Sequence, residues 1–182
     1  HKRMMMWGDI VLQHPDTLTM IPKDTIMLTW GYEPNEKFDD QILPFTKAGY
    51  DFIVCPSVRN YGRIMPDFSN AAINIQNFTR DGLKYGALGV INTAWDDGGR
   101  TLNAVNWHGI AWGAECAWNG GTTSIDDFNR RIGAVLFGES GDDFGRAIEA
   151  LAGLQKLNLT AGGSDTRFWQ DPLAGQVKPD AF

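Results

Sequence analysis

Thr25-Ile26-Met27-Leu28-Thr29-Trp30-Gly31-Tyr32 opens with a short, strongly apolar run that stops on a tryptophan and a glycine, and Thr25 to Trp30 reads as a buried parallel strand. Three other runs share its length, its composition and an abrupt end at Gly, Pro or Asp: Arg3 to Trp7, Asp51 to Pro56, and Leu88 to Trp95. Four strands are therefore predicted, with helical or irregular stretches between them. Pro15-Asp16-Thr17-Leu18 suits one or two helical turns, and Asp39 to Ala48 carries Ile42, Leu43 and Phe45 at helical spacing. Asn70 to Tyr85 can bury Ala72, Ile75, Phe78 and Leu83 on one face before Gly86 closes it. Strands alternating with helices imply a parallel sheet, either doubly wound or part of a barrel.

After the fourth run the pattern turns helical: Val105 to Trp118, Ser124 to Phe137 with Asp126 and Asp127 in its first turn, and Asp142 to Leu157. Thr160 to Phe182 is rich in Gly, Pro and Asp and is expected to be irregular. No repeat and no linker divides the chain. A nucleotide-binding sheet is disfavoured, because no GxGxxG or Walker pattern follows a strand and Gly86-Ala87-Leu88-Gly89 precedes one.

The chain has 182 residues, 43% of them apolar and 21% charged, which suits one hydrophobic core. A net charge of -6 without any Lys/Arg cluster argues against nucleic acid and anionic lipid as partners and leaves neutral or cationic ligands. No apolar run reaches the ~18 residues of a membrane span. Cys55 and Cys116 form no CxxC pattern, and His14 and His108 have no partner at metal spacing, so neither a metal nor a cofactor is expected. Ser57, Ser69 and Ser140 lack a GxSxG context, and the sequons at Asn77 and Asn158 are short patterns that arise by chance.

Chemistry in parallel α/β folds collects where strands end. Here the ends read Trp7-Gly8-Asp9, Trp30-Gly31-Tyr32-Glu33, Pro56 followed by Arg59-Asn60-Tyr61, and Trp95-Asp96-Asp97-Gly98. Any one tryptophan is explained as well by core packing as by a pocket. As a set they suggest walls, since barrel interiors are filled mainly by branched aliphatics. An indole face covers the C–H face of a pyranose ring, and an ionised Asp9 or Asp97 accepts hydrogen bonds from hydroxyls. Those are the demands of a sugar.

Met5-Met6-Trp7-Gly8-Asp9, Leu28-Thr29-Trp30-Gly31-Tyr32, Val54-Cys55-Pro56 with Tyr61, and Gly89-Val90-Ile91-Asn92-Thr93-Ala94-Trp95-Asp96-Asp97 together resemble strands five to eight of glycoside hydrolase family 20, the exo-acting β-N-acetylhexosaminidases. Asn106 to Trp118 is similar to the family's helix after strand eight. The resemblance covers roughly the first two-thirds of the chain. It implies the C-terminal half of a (β/α)8 TIM barrel followed by C-terminal helices. Residues 1–120 would hold strands five to eight with their helices, and residues 121–182 the final helices and tail.

The resemblance also implies roles. Trp7, Trp30 and Trp95 would enclose a terminal amino sugar, Tyr61 would orient its acetamide carbonyl, Asp97 would hold outer hydroxyls where the family often has Glu, and Asp9 would join the binding set. Hydrolysis in the family is substrate-assisted, with the 2-acetamido oxygen attacking the anomeric carbon beside an Asp-Glu pair at the end of strand four. No adjacent Asp-Glu pair occurs in this sequence, so no catalytic residue is assigned and the segment alone is expected to be inactive. The implied partners are a carbohydrate substrate and the N-terminal half of the same barrel, from a longer chain, and family habit points to a secreted or periplasmic setting. A glycosidase of another barrel family and a non-catalytic carbohydrate-binding barrel stay open beside this reading, as does an α/β domain whose tryptophans are structural.

Overall fold

The computed structural model describes residues 2–97 and 101–155. Three short strands, β1 (Met5–Trp7), β2 (Ile26–Trp30) and β3 (Phe52–Cys55), form a parallel sheet in the order β1-β2-β3. Met5 pairs with Ile26, and Met27 with Phe52. The β1–β2 crossover holds a five-residue helix, α1 (Asp9–Gln13), and a 3-10 segment (Pro15–Met20). The next crossover holds α2 (Asp39–Lys47). β3 is followed by the long α3 (Phe68–Lys84), and the chain continues through α4 (Trp107–Asn119), α5 (Ile125–Phe137) and α6 (Asp143–Gln155).

α3 organises both halves of the core. Asp67 caps it by accepting from the Asn70 N–H at 3.3 Å, and Gly86, at φ +81°, takes the left-handed turn after its last residues. Phe68, Ala71, Ile75 and Phe78 recur at helical spacing and are all buried. Phe78 stacks on Phe38 at 4.1 Å inside the cluster that backs the sheet with Met27, Phe45 and Val54. Full burial of each such ring contributes roughly 1.5–3 kcal/mol. One to two turns earlier, Ala71 and Ile75 join Val58, Trp112, Phe128 and Ile132 in the cluster shared with α4 and α5.

The expected fourth strand, Leu88 to Trp95, is not formed. Val90 and Thr93 make only isolated parallel bridges, to Val54 and Ser57. Leu88, Ile91 and Thr93 donate to the carbonyls of Phe52, Val54 and Pro56, and Val54 and Val58 donate back to Gly89 and Thr93, so the segment runs beside β3; Pro56 supplies no N–H, and the regular ladder breaks there. The expectation of the second half of a (β/α)8 barrel, strands five to eight, is accordingly corrected: among the described residues this is a small α/β domain with three parallel strands, and its first crossover carries five α-helical residues and a short 3-10 segment where a barrel layer needs a full helix.

Helix positions follow the sequence pattern more closely. Ser124, the expected start of α5, is its N-cap, accepting from the Asp127 N–H at 3.1 Å. The irregular tail expected at 160–182 and the sequon at Asn158 lie outside the described residues.

His108 on α4 is buried at 2% exposure, edge-on to Phe68 and Phe128, with Nε2 2.8 Å from Asn129 Oδ1. Because Asn129 Nδ2 donates to Glu149, Asn129 offers its oxygen and His108 Nε2 donates. Burial lowers the His108 pKa below its ordinary 6.5, against the opposing pull of Asn129. The unfolded chain therefore binds a proton more readily than the folded one. Stability from this group is complete above about 6.5 and is lost as pH falls toward the depressed folded value. Resistance to urea unfolding is expected to weaken from about pH 7.5 to about 5.5, and His108→Gln to flatten that dependence; a variant profile as steep as the native one would contradict this assignment.

Candidate functional site

The loops after β2 and β3 are held from behind by polar side chains on α3. Asn74, fully buried, donates to the carbonyls of Gly31 and Glu33 at 2.8 and 2.9 Å while accepting from the Ser57 N–H. Asn77 donates to the Asn35 carbonyl, Arg80 to that of Glu36, and Asp81 accepts from the Phe38 N–H. These positions recur every three or four residues, so one helix face lines up the whole of the 31–38 loop. The Asn77 amide is thus engaged and Thr79 is buried, so the sequon there presents no free acceptor.

Arg59 ties the second loop to the first. Its backbone sits at φ +55°, a left-handed conformation that costs an L-residue on the order of 1–2 kcal/mol. The N–H donates to Ser57 Oγ at 3.0 Å, and the buried guanidinium donates to the Tyr32 carbonyl and pairs with Glu33 at 3.4 Å and Asp67 at 3.7 Å. The next residue, Asn60, is 1% exposed and accepts the Trp95 N–H at 2.9 Å. At the end of β1, Gly8 is required by close approach, since a Cβ there would lie 2.5 Å from the Phe45 ring.

All six residues singled out in the sequence, Trp7, Asp9, Trp30, Tyr61, Trp95 and Asp97, come to one open cleft of about 760 Å³. In a flat sheet, strand ends three spacings apart would stand about 14 Å from each other. The Trp7 and Trp95 rings nevertheless lie 6.0 Å apart at 54°, leaning together over the end of the sheet. Trp7, Trp30 and Trp95 each keep 37–38% of their surface open.

Five lining residues were not singled out: Gly31, Tyr32, Glu33, Asn35 and Gln41. Tyr32 is the hub of the aromatic wall. It stacks on Trp30 at 4.9 Å, tilts against Tyr61 at 5.9 Å, and its hydroxyl accepts the Trp95 indole N–H at 2.6 Å. Burial raises its pKa above the usual 10.0 although the Trp95 bond works the other way, so the phenol is protonated at neutral pH. The available signal was its position two after Trp30, which puts two side chains on one side of an extended chain. Glu33 stood in the quoted strand end but had no partner in view until Arg59 was placed beside it. Gln41 comes from α2, whose carbonyl there accepts from Thr29 Oγ1 at 2.7 Å, and nothing local in the sequence announces that docking.

Cys55 and Cys116 are buried free thiols whose pKa values burial pushes up to about 12, which makes them poor nucleophiles. No described helix is long and apolar enough to cross a membrane. Fold and site together define an α/β protein with an aromatic, acid-bearing cleft at the C-terminal ends of parallel strands. No protein-family model matches the chain, and no curated protein is significantly similar to it.

Replacing Asn74 with Ala leaves the Ser57 N–H and the Gly31 and Glu33 carbonyls without their partner, at a cost of about 1–3 kcal/mol for a buried group so exposed. Hydrogen exchange should therefore accelerate at the Ser57 amide in Asn74→Ala. Unchanged protection there would show that the loop is held by other contacts.

Proposed function

We propose that this cleft binds the terminal β-linked N-acetylhexosamine handled by an exo-acting, substrate-assisted retaining glycoside hydrolase, and that the chain contributes the sugar-binding wall of that enzyme. The observation that carries the reading is the meeting of three tryptophans, Trp7 and Trp30 at strand ends and Trp95 beside them, with Asp9 and Asp97 in one cleft of sugar-accommodating size. Indole faces pack on the C–H face of the ring, and the carboxylates accept from its hydroxyls. Asp97 reads the outer hydroxyls, Tyr61 orients the acetamide carbonyl, and Trp7, Trp30 and Trp95 enclose the ring and its acetamido group. Tyr32 keeps Trp95 in place.

The bond-breaking step belongs to groups outside these 182 residues. In the substrate-assisted scheme the acetamido oxygen attacks the anomeric carbon while a Glu protonates the leaving oxygen, and an adjacent Asp stabilises the oxazolinium-like intermediate. This sequence holds no adjacent Asp-Glu pair. The chain by itself is accordingly a binder and not a catalyst.

The test is titration of the chain with methyl N-acetyl-β-glucosaminide and with methyl β-glucoside, followed through the tryptophan indole resonances. Saturable shifts with the first sugar, weakened about tenfold or more in Trp30→Ala and Asp97→Ala variants that stay folded, are expected. Equal response to both sugars would move the chain toward glycosidases of non-acetylated hexosides. No response to either would leave the tryptophans as structural residues.

A further inference from the structure

We infer that the same cleft is a binding site for small organic ammonium ions. The inference does not rest on the sugar reading, because it follows from the charge and ring content of the walls alone. Five aromatic rings line the cleft, and three carboxylates, Asp9, Glu33 and Asp97, share it with them. No Lys, Arg or His stands among its described lining residues. Arg59 approaches only from behind the wall, with 8% of its side chain exposed, and is already engaged by the Tyr32 carbonyl, Glu33 and Asp67. Its charge offsets that of Glu33. Among the described residues no cationic side chain pairs with Asp9 or Asp97, so the described walls of the cleft are electronegative.

The rings add a second attraction of the same sign. A cation within about 6 Å of a ring centroid is drawn to the negative face of the π system, most strongly for indole. Trp7 and Trp95 meet at 54°, Trp30 and Tyr32 are stacked at 29°, and each of these tryptophans is more than a third exposed, so faces are available on more than one side of the cleft. A quaternary ammonium suits such a box. Its methyl groups contact the rings, its desolvation is less costly than that of a compact ammonium, and the carboxylates supply longer-range attraction. An anion of the same size meets repulsion from all of these groups.

Choline and 3,3-dimethylbutan-1-ol have nearly the same shape and differ in charge, so together they separate a cation site from an apolar hollow. Titrated into the chain and read by tryptophan indole shifts, choline is expected to bind about tenfold more tightly than the alcohol. Added salt should weaken choline and not the alcohol. Asp9→Asn and Asp97→Asn are each expected to reduce choline affinity, whereas Asp126→Asn, away from the cleft, should not. Equal affinity for the two compounds, or no response to either, would overturn the inference. Methyl N-acetyl-β-glucosaminide titrated into the same samples keeps the two readings apart: sugar binding without choline binding removes only the ammonium site, and choline binding without sugar binding removes only the sugar site.

Discussion

The cleft depends on the side chain of Asn74. This fully buried amide on α3 connects the loop after β2, through the carbonyls of Gly31 and Glu33, to the loop after β3, through the N–H of Ser57. A buried amide with all of its bonds made is a rigid joint, because any rearrangement would leave polar groups stranded away from water. Pro56, next to Ser57, supplies no N–H to residues 88–93, so the regular sheet stops at three strands and the following segment carries Trp95 to the sheet end.

From that joint the aromatic wall follows in steps. Fixing the 31–38 loop fixes Tyr32, whose ring stacks on Trp30 and whose hydroxyl receives the Trp95 indole. Arg59 reinforces the arrangement from the other loop at the cost of a left-handed backbone, a strain tolerated where several bonds overdetermine the conformation. The result is a row of half-open rings above carboxylates that no described side chain neutralises at Asp9 and Asp97. Such a surface is poorly satisfied by water on the rings and strongly attractive to hydroxyls and cations, which is why both a sugar and an ammonium ion fit the same walls.

Much of this was legible in the sequence. The Trp-Gly and Trp-Asp endings are a local signal, a large ring followed by a residue that frees the chain to turn, and they gave five of the six lining residues that were singled out; Tyr61 came from the stretch after Pro56 through the family resemblance. Tyr32 and Gln41 were not singled out because their importance lies in contacts with Trp95, 63 positions away, and with β2 across a crossover. The fourth strand was over-read for a related reason. Leu88 to Trp95 has the composition of a strand, but a regular ladder also needs an unbroken row of donors on the neighbour, and Pro56 interrupts it. The barrel expectation failed with it, since it required four regular strands and full crossover helices.

The central claim is that the cleft is preorganised for a ligand through the bond between Tyr32 and Trp95. Tyr32→Phe removes that bond and keeps the ring, so the direct measurement is the Trp95 indole resonance of this variant together with its affinity for methyl N-acetyl-β-glucosaminide. A changed indole shift with affinity reduced about two- to tenfold, the worth of one hydrogen bond, is expected in a protein of otherwise native stability. An indole resonance and an affinity both indistinguishable from those of the native chain would contradict the claim.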